Sequence, residues 1–113
     1  MKHIIAFIKD HKLEQVTHAL HGVDGLTGMT ASSVRGFGRT RHGEKDRDIT
    51  DRLELLTQRI RIDVFCANDH VEAVIATIRD AAHTGLRGDG KVYVESVADA
   101  LRIETGARGE EAV

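Results

Sequence analysis

Arg59-Ile60-Arg61-Ile62-Asp63-Val64-Phe65-Cys66 alternates without a break. Ile60, Ile62, Val64 and Cys66 fall on one side of an extended chain and Arg59, Arg61, Asp63 and Phe65 on the other, the period-2 pattern of a strand with one buried face. The period then changes. Asp69-His70-Val71-Glu72 opens like a capping box with Asp69 in the cap position. Val71, Val74, Ile75, Ile78, Ala81 and Ala82 lay an apolar stripe along a helix that ends at Gly85. Beyond a glycine-rich turn, Lys91-Val92-Tyr93-Val94-Glu95-Ser96-Val97 reads as a further strand. The second half of the chain is one β-α-β unit.

The first half has the same order. His3-Ile4-Ile5-Ala6-Phe7-Ile8-Lys9 is a short apolar run and reads as a buried strand. Asp10 is placed to cap a helix whose stripe is Leu13, Val16, Leu20 and Val23, and Gly22 and Gly25 stop it. Small, β-branched and apolar residues from Thr27 to Gly38 make the next strand, ending in Gly36-Phe37-Gly38-Arg39. Between the halves, nine of the fourteen residues from Arg39 to Arg52 are charged, with both signs interleaved. No apolar period supports a packed element there, so it reads as a long mobile loop. Loops of that length are usually functional or disordered, and a solvated excursion without a role is the alternative. Arg102-Ile103-Glu104-Thr105-Gly106 leads into a charged tail expected to fray.

This order predicts an α+β fold: the ferredoxin-like βαββαβ arrangement, a four-stranded antiparallel sheet with both helices on one face. The other face keeps apolar residues such as Phe65, which argues for self-association. At 113 residues the chain is a single domain, residues 1–113. With a formal charge of −2 it is no electrostatic magnet for nucleic acid. The longest apolar run is too short to insert in a membrane, and Met1-Lys2-His3 lacks a signal-peptide pattern. One cysteine, Cys66, rules out an internal disulfide and fits a reducing cytoplasm.

Chemistry concentrates in Thr84-Gly85-Leu86-Arg87-Gly88-Asp89-Gly90-Lys91. Its glycines free the backbone for close approach by a ligand, and successive N–H groups in such a loop can form a concave anion site. Arg87 and Lys91 add positive charge, which makes phosphate the natural guest. Gly85 to Lys91 also has Walker A spacing, but Val92 replaces the Mg²⁺-holding hydroxyl, and helix-loop-strand reverses the P-loop order. A turn with no ligand is the alternative, and the stretch alone does not separate the two. Elsewhere, Arg59, Arg61 and Asp63 project together at the base of the long loop, where they either solvate the strand or meet an anion or base edge. His18 and His21 share a helix face without further ligands, so no metal site is expected. No catalytic set is suggested either.

Several of these segments together resemble the PII nitrogen-regulatory signal proteins. They are Thr27-Gly28-Met29-Thr30, Val34-Arg35-Gly36-Phe37-Gly38-Arg39, Thr84 through Val92, and Arg102-Ile103-Glu104-Thr105-Gly106. The resemblance spans nearly the whole chain. It implies a homotrimer that binds ATP, ADP or AMP, with Mg²⁺ as a candidate companion, in clefts between subunits. It also implies a non-enzymatic regulator that docks on a membrane transporter or metabolic enzyme through a T-loop at about 39–57. The B-loop would be 84–91 and the C-loop 102–106. Carried over by position, Thr84, Gly88, Asp89, Gly90 and Lys91 would serve the phosphates and ribose. Gly36, Phe37, Gly38 and Arg39 would sit at the loop base beside them. Thr30, Asp63 and Phe65 would surround the adenine, and Arg102 would reach across the subunit boundary. Thr40 and Arg59 would be anion or effector contacts.

The departures from the family pattern are equally specific. Arg52 stands where many members have a modifiable tyrosine, and Thr40 where a glutamine helps hold Mg²⁺ and 2-oxoglutarate. Glu104 replaces the second C-loop arginine, and Arg59 replaces a lysine. Glu104 and Thr40 turn the expected preference towards ADP or AMP. Regulation of inorganic-carbon (bicarbonate) uptake or carboxysomes is the alternative subtype. A slow nucleotide hydrolase and a trimeric metal-tolerance protein of similar fold are alternatives of other classes.

Overall fold

A computed structural model describes residues 1–38 and 56–113. The strands are β1 (Lys2–Lys9), β2 (Thr30–Gly36), β3 (Thr57–Cys66) and β4 (Gly90–Ser96), and the helices are α1 (Leu13–His21) and α2 (Val71–Ala82). All strand pairs are antiparallel, in the order β2-β3-β1-β4. This is the predicted ferredoxin-like sheet. Most of the expected loop at 39–57, including Arg39, Thr40 and Arg52, lies outside the described residues. Thr57 already belongs to β3.

The core follows the alternation. Ile4, Ala6 and Ile8 of β1 lie opposite Val64, Ile62 and Ile60 of β3 in register, and all are buried. Val16 and Leu20 of α1 and Val74, Ile78 and Ala82 of α2 close over them in one cluster, so both helices lie on this face. Burying each large aliphatic side chain contributes about 1.5–3 kcal/mol. Among the described residues no polar or charged residue is buried. None of the described helices is long and apolar enough to cross a membrane.

Three local expectations are corrected. Asp10 does not cap α1: it begins a 3-10 turn, Asp10–Lys12, and α1 starts behind Lys12 without a side-chain cap. Asp69 likewise sits inside a 3-10 turn, Asn68–His70, rather than in a capping box. In both places the tight turn supplies a carbonyl, Asp10 to Leu13 N–H and Asn68 to Val71 N–H, so the first helical donor is met by backbone. The tail is also organised instead of frayed. Leu101 bridges Arg108, Arg108 pairs with the Asp99 carboxylate, and Gly109–Ala112 forms a final 3-10 turn.

Candidate functional site

The loop from α2 to β4 is held at several points. The Thr84 N–H donates to Asp89 Oδ2 (2.8 Å), and the Thr84 hydroxyl donates to Asp89 Oδ1. That hydroxyl accepts from Leu86 N–H (3.1 Å) and from Lys9 Nζ (3.1 Å). Lys9 Nζ also lies 3.2 Å from Asp89 Oδ1, and His83 Nδ1 lies 3.2 Å from Asp89 Oδ2. The Thr84 hydroxyl above all, then the Thr84 N–H and Lys9, hold the Asp89 carboxyl far below the ordinary range. On the other side Arg59 Nη1 donates to the Gly88 carbonyl at 2.5 Å.

Glycine is required where this loop meets the sheet. Gly85, Gly88 and Gly90 have φ of 80°, 82° and 110°, the region L side chains avoid. The side chains of Thr84 and Asp89 are thus occupied with each other. Arg87 and Lys91 are exposed and pair with no other described residue. The result is a fixed glycine loop with exposed cations beside it, suited to a phosphate.

The second group lies on the sheet face away from the helices. Thr30 is the register partner of Asp63, and Phe65 follows on the same face of β3. Arg61 grips the Asp63 carboxylate through Nε and Nη2 (3.0–3.2 Å), and His3 Nε2 meets it at 2.7 Å. The Arg61 hydrogen bond, helped by His3, lowers the Asp63 pKa against partial burial. The His3 ring stacks on Phe65 with centroids 4.3 Å apart, and Phe7 meets Tyr93 edge-on. A groove of about 250 Å³ opens beside Phe65, lined also by Met1, Val97 and Ala100.

The two groups do not meet within one chain. Arg59, which touches the glycine loop, and Phe65 are six residues apart on β3, about 20 Å at 3.3 Å per residue. Gly36 ends β2 opposite Thr57, so Gly36, the exposed Phe37 and Gly38 belong to the glycine-loop end of the sheet. Arg102 stands in a separate turn, where its N–H donates to Ala107 O (2.9 Å) and its carbonyl accepts from Gly106 N–H (2.7 Å). Among the described residues no three His, Cys, Asp or Glu side chains gather as a metal site.

Lys9 and His3 are missing from the sequence-derived set. Strand alternation puts both on the outer face, but Lys9 and Thr84 are 75 positions apart, and no local pattern announces that contact.

A family model described as nitrogen regulatory protein P-II matches residues 1–107. Proteins of that name from Rhizobium meliloti (strain 1021) and Azospirillum brasilense are 42% and 41% identical to this chain over 114 residues, covering 100% of each partner. The crystal structure of Arabidopsis thaliana PII bound to citrate is similar with a TM-score of 0.81 and 34% identity, covering 99% of this chain and 91% of that one.

Proposed function

This chain belongs to the nitrogen regulatory protein P-II family, and from that premise we propose a cytoplasmic homotrimer that binds adenine nucleotide between its copies. It acts as a signal-transduction regulator in nitrogen metabolism and controls a partner transporter or enzyme through the loop at 39–57. The observation that carries this reading is the separation along β3. The glycine loop with Lys91 and Arg87 offers a phosphate seat at one end of the sheet, and Thr30, Asp63 and Phe65 offer a base seat towards the other. Two copies, each lending one end, complete a cleft that a single copy leaves open.

The outer sheet face suits such an assembly. Phe65 and Tyr93 are about half exposed on it, and the Asp63 carboxylate is already paired inside the chain with His3 and Arg61. In the assembled protein Gly88, Gly90 and Lys91 take the phosphates, with Gly36, Phe37, Gly38 and Arg39 beside them. Arg102 reaches the neighbouring copy, and Thr40 and Arg59 tune the choice of anion, with Mg²⁺ as a companion of the nucleotide. A buried Cys66 thiol, its pKa raised by burial, suits a reducing compartment.

Light scattering combined with calorimetry tests this reading. A particle of three times 12.4 kDa that binds one ADP per chain is the expected result. Titrations with AMP and ATP, with and without Mg²⁺ and 2-oxoglutarate, then define the ligand. A stable monomer binding ADP at full stoichiometry would remove the shared cleft, and a trimer binding no adenine nucleotide would remove the regulator.

A further inference from the structure

We infer that Lys9 is a positioning residue of the glycine loop: its ammonium group fixes the Thr84–Asp89 pair and cancels the Asp89 charge, so that the loop can receive an anion. This rests on the phosphate reading of that loop. A carboxylate inside a phosphate seat is at first sight a contradiction. Asp89 is needed there because it takes both the N–H and the hydroxyl of Thr84 and so closes the loop on itself. The cost is a negative charge where phosphate should come. Lys9 Nζ, 3.2 Å from Asp89 Oδ1 and 3.1 Å from Thr84 Oγ1, removes that charge without entering the seat.

The register shows why a cation is stationed at this place. Lys9 lies directly opposite Arg59 across β1 and β3, and like charges so placed repel. Both side chains turn to the loop instead, Lys9 to Asp89 and Thr84 and Arg59 to the Gly88 carbonyl. The Lys9 side chain is 17% exposed, which leaves little of it to solvent. A direct phosphate ligand would be exposed and, as Lys91 is among the described residues, not committed to a carboxylate.

The test combines ADP calorimetry with amide hydrogen exchange of the nucleotide-free protein. Lys9→Met should weaken ADP binding at least tenfold, and Lys9→Arg should restore most of it. Adding Asp89→Asn to Lys9→Met should recover affinity, because the uncompensated carboxylate is gone while the amide oxygen can still accept the Thr84 N–H. The Thr84 amide should exchange faster in Lys9→Met than in wild type and recover in Lys9→Arg. Unchanged ADP affinity or unchanged Thr84 exchange in Lys9→Met overturns the inference. A double variant no better than Lys9→Met also overturns it, making Lys9 an ordinary phosphate ligand. If Lys9→Met fails to fold, Lys9→Gln takes its place with the same two readouts, and unchanged ADP affinity or unchanged Thr84 exchange in it overturns the inference. Wild type that binds no ADP is a different result, and it overturns the nucleotide reading itself.

Discussion

A β-carbon built on Gly90 would stand 1.7 Å from the Phe7 carbonyl oxygen, with Ile8 next to it paired to Gly90 across β1 and β4. Backbone, not a movable side chain, fills the space. Gly90→Ala should therefore open the start of β4 as well as weaken ADP binding. Its backbone strain alone costs about 1–3 kcal/mol, and the overlap with Phe7 adds to it. Gly85, at φ 80° with nothing within 4 Å of the built atom, is the control. Chemical denaturation should show a clearly larger loss for Gly90→Ala than for Gly85→Ala. Equal losses would assign the effect to φ alone.

Lys91→Ala should leave the fold intact, because the side chain is exposed and holds no described partner. It should remove a charge-assisted contact to phosphate worth about 1.5–3 kcal/mol, or roughly ten- to a hundredfold in ADP affinity. Calorimetry on the folded variant checks this, and unchanged affinity would return the loop to a turn without a ligand.

Acid should weaken the protein through its paired carboxylates. Asp63, Asp89 and Asp99 all have folded-state pKa values below the ordinary carboxylate value, held there first by Arg61, Thr84 and Arg108 respectively. Depressed carboxylates contribute stability that is whole above the unfolded pKa, about 3.9, and is lost as pH falls below it. Thermal melting should be level from pH 7 to about 5 and fall steeply below about pH 4. Asp63→Asn should lower the plateau and flatten part of that fall. A variant with the wild-type slope would place the acid sensitivity elsewhere.

Glu104 lies exposed in the turn from Arg102 to Gly106. If that turn reaches a neighbouring cleft, its carboxylate disfavours the terminal phosphate of ATP. Glu104→Arg should raise ATP affinity relative to ADP by roughly three- to tenfold, or about 0.7–1.4 kcal/mol. Paired titrations of the two nucleotides measure it, and an unchanged ratio would take Glu104 out of the cleft.

What the sequence discloses here follows the range of the interactions. The β3 alternation and the α2 stripe are legible because burial acts on neighbours at fixed spacing, and Ile62, Val64, Val74 and Ile78 are buried as that spacing predicts. Helix starts are less legible. Asp10 and Asp69 have the right chemistry for caps, yet backbone carbonyls in 3-10 turns take the job. The glycine loop is visible in composition, but its anchors Lys9 and Arg59 come from distant strands and are invisible until the sheet is registered. The tail misleads because Asp99 and Arg108 look like solvated charges until their pairing is seen.

The distance between Arg59 and Phe65 along β3 has a consequence for mixtures of defective chains. In the proposed cleft a Lys91→Ala copy is impaired at its phosphate end and keeps its base end, whereas a copy altered at Thr30 and Phe65 has the opposite defect. If the copies close into a ring with shared clefts, as proposed, rings of either copy alone contain no intact cleft. In a ring of mixed composition, the phosphate end of one copy meets the base end of the other at one boundary, and that boundary is whole. Unfolding and reassembling the two impaired proteins together should therefore bring tight ADP binding back, as complementation between two lesions in a single chain.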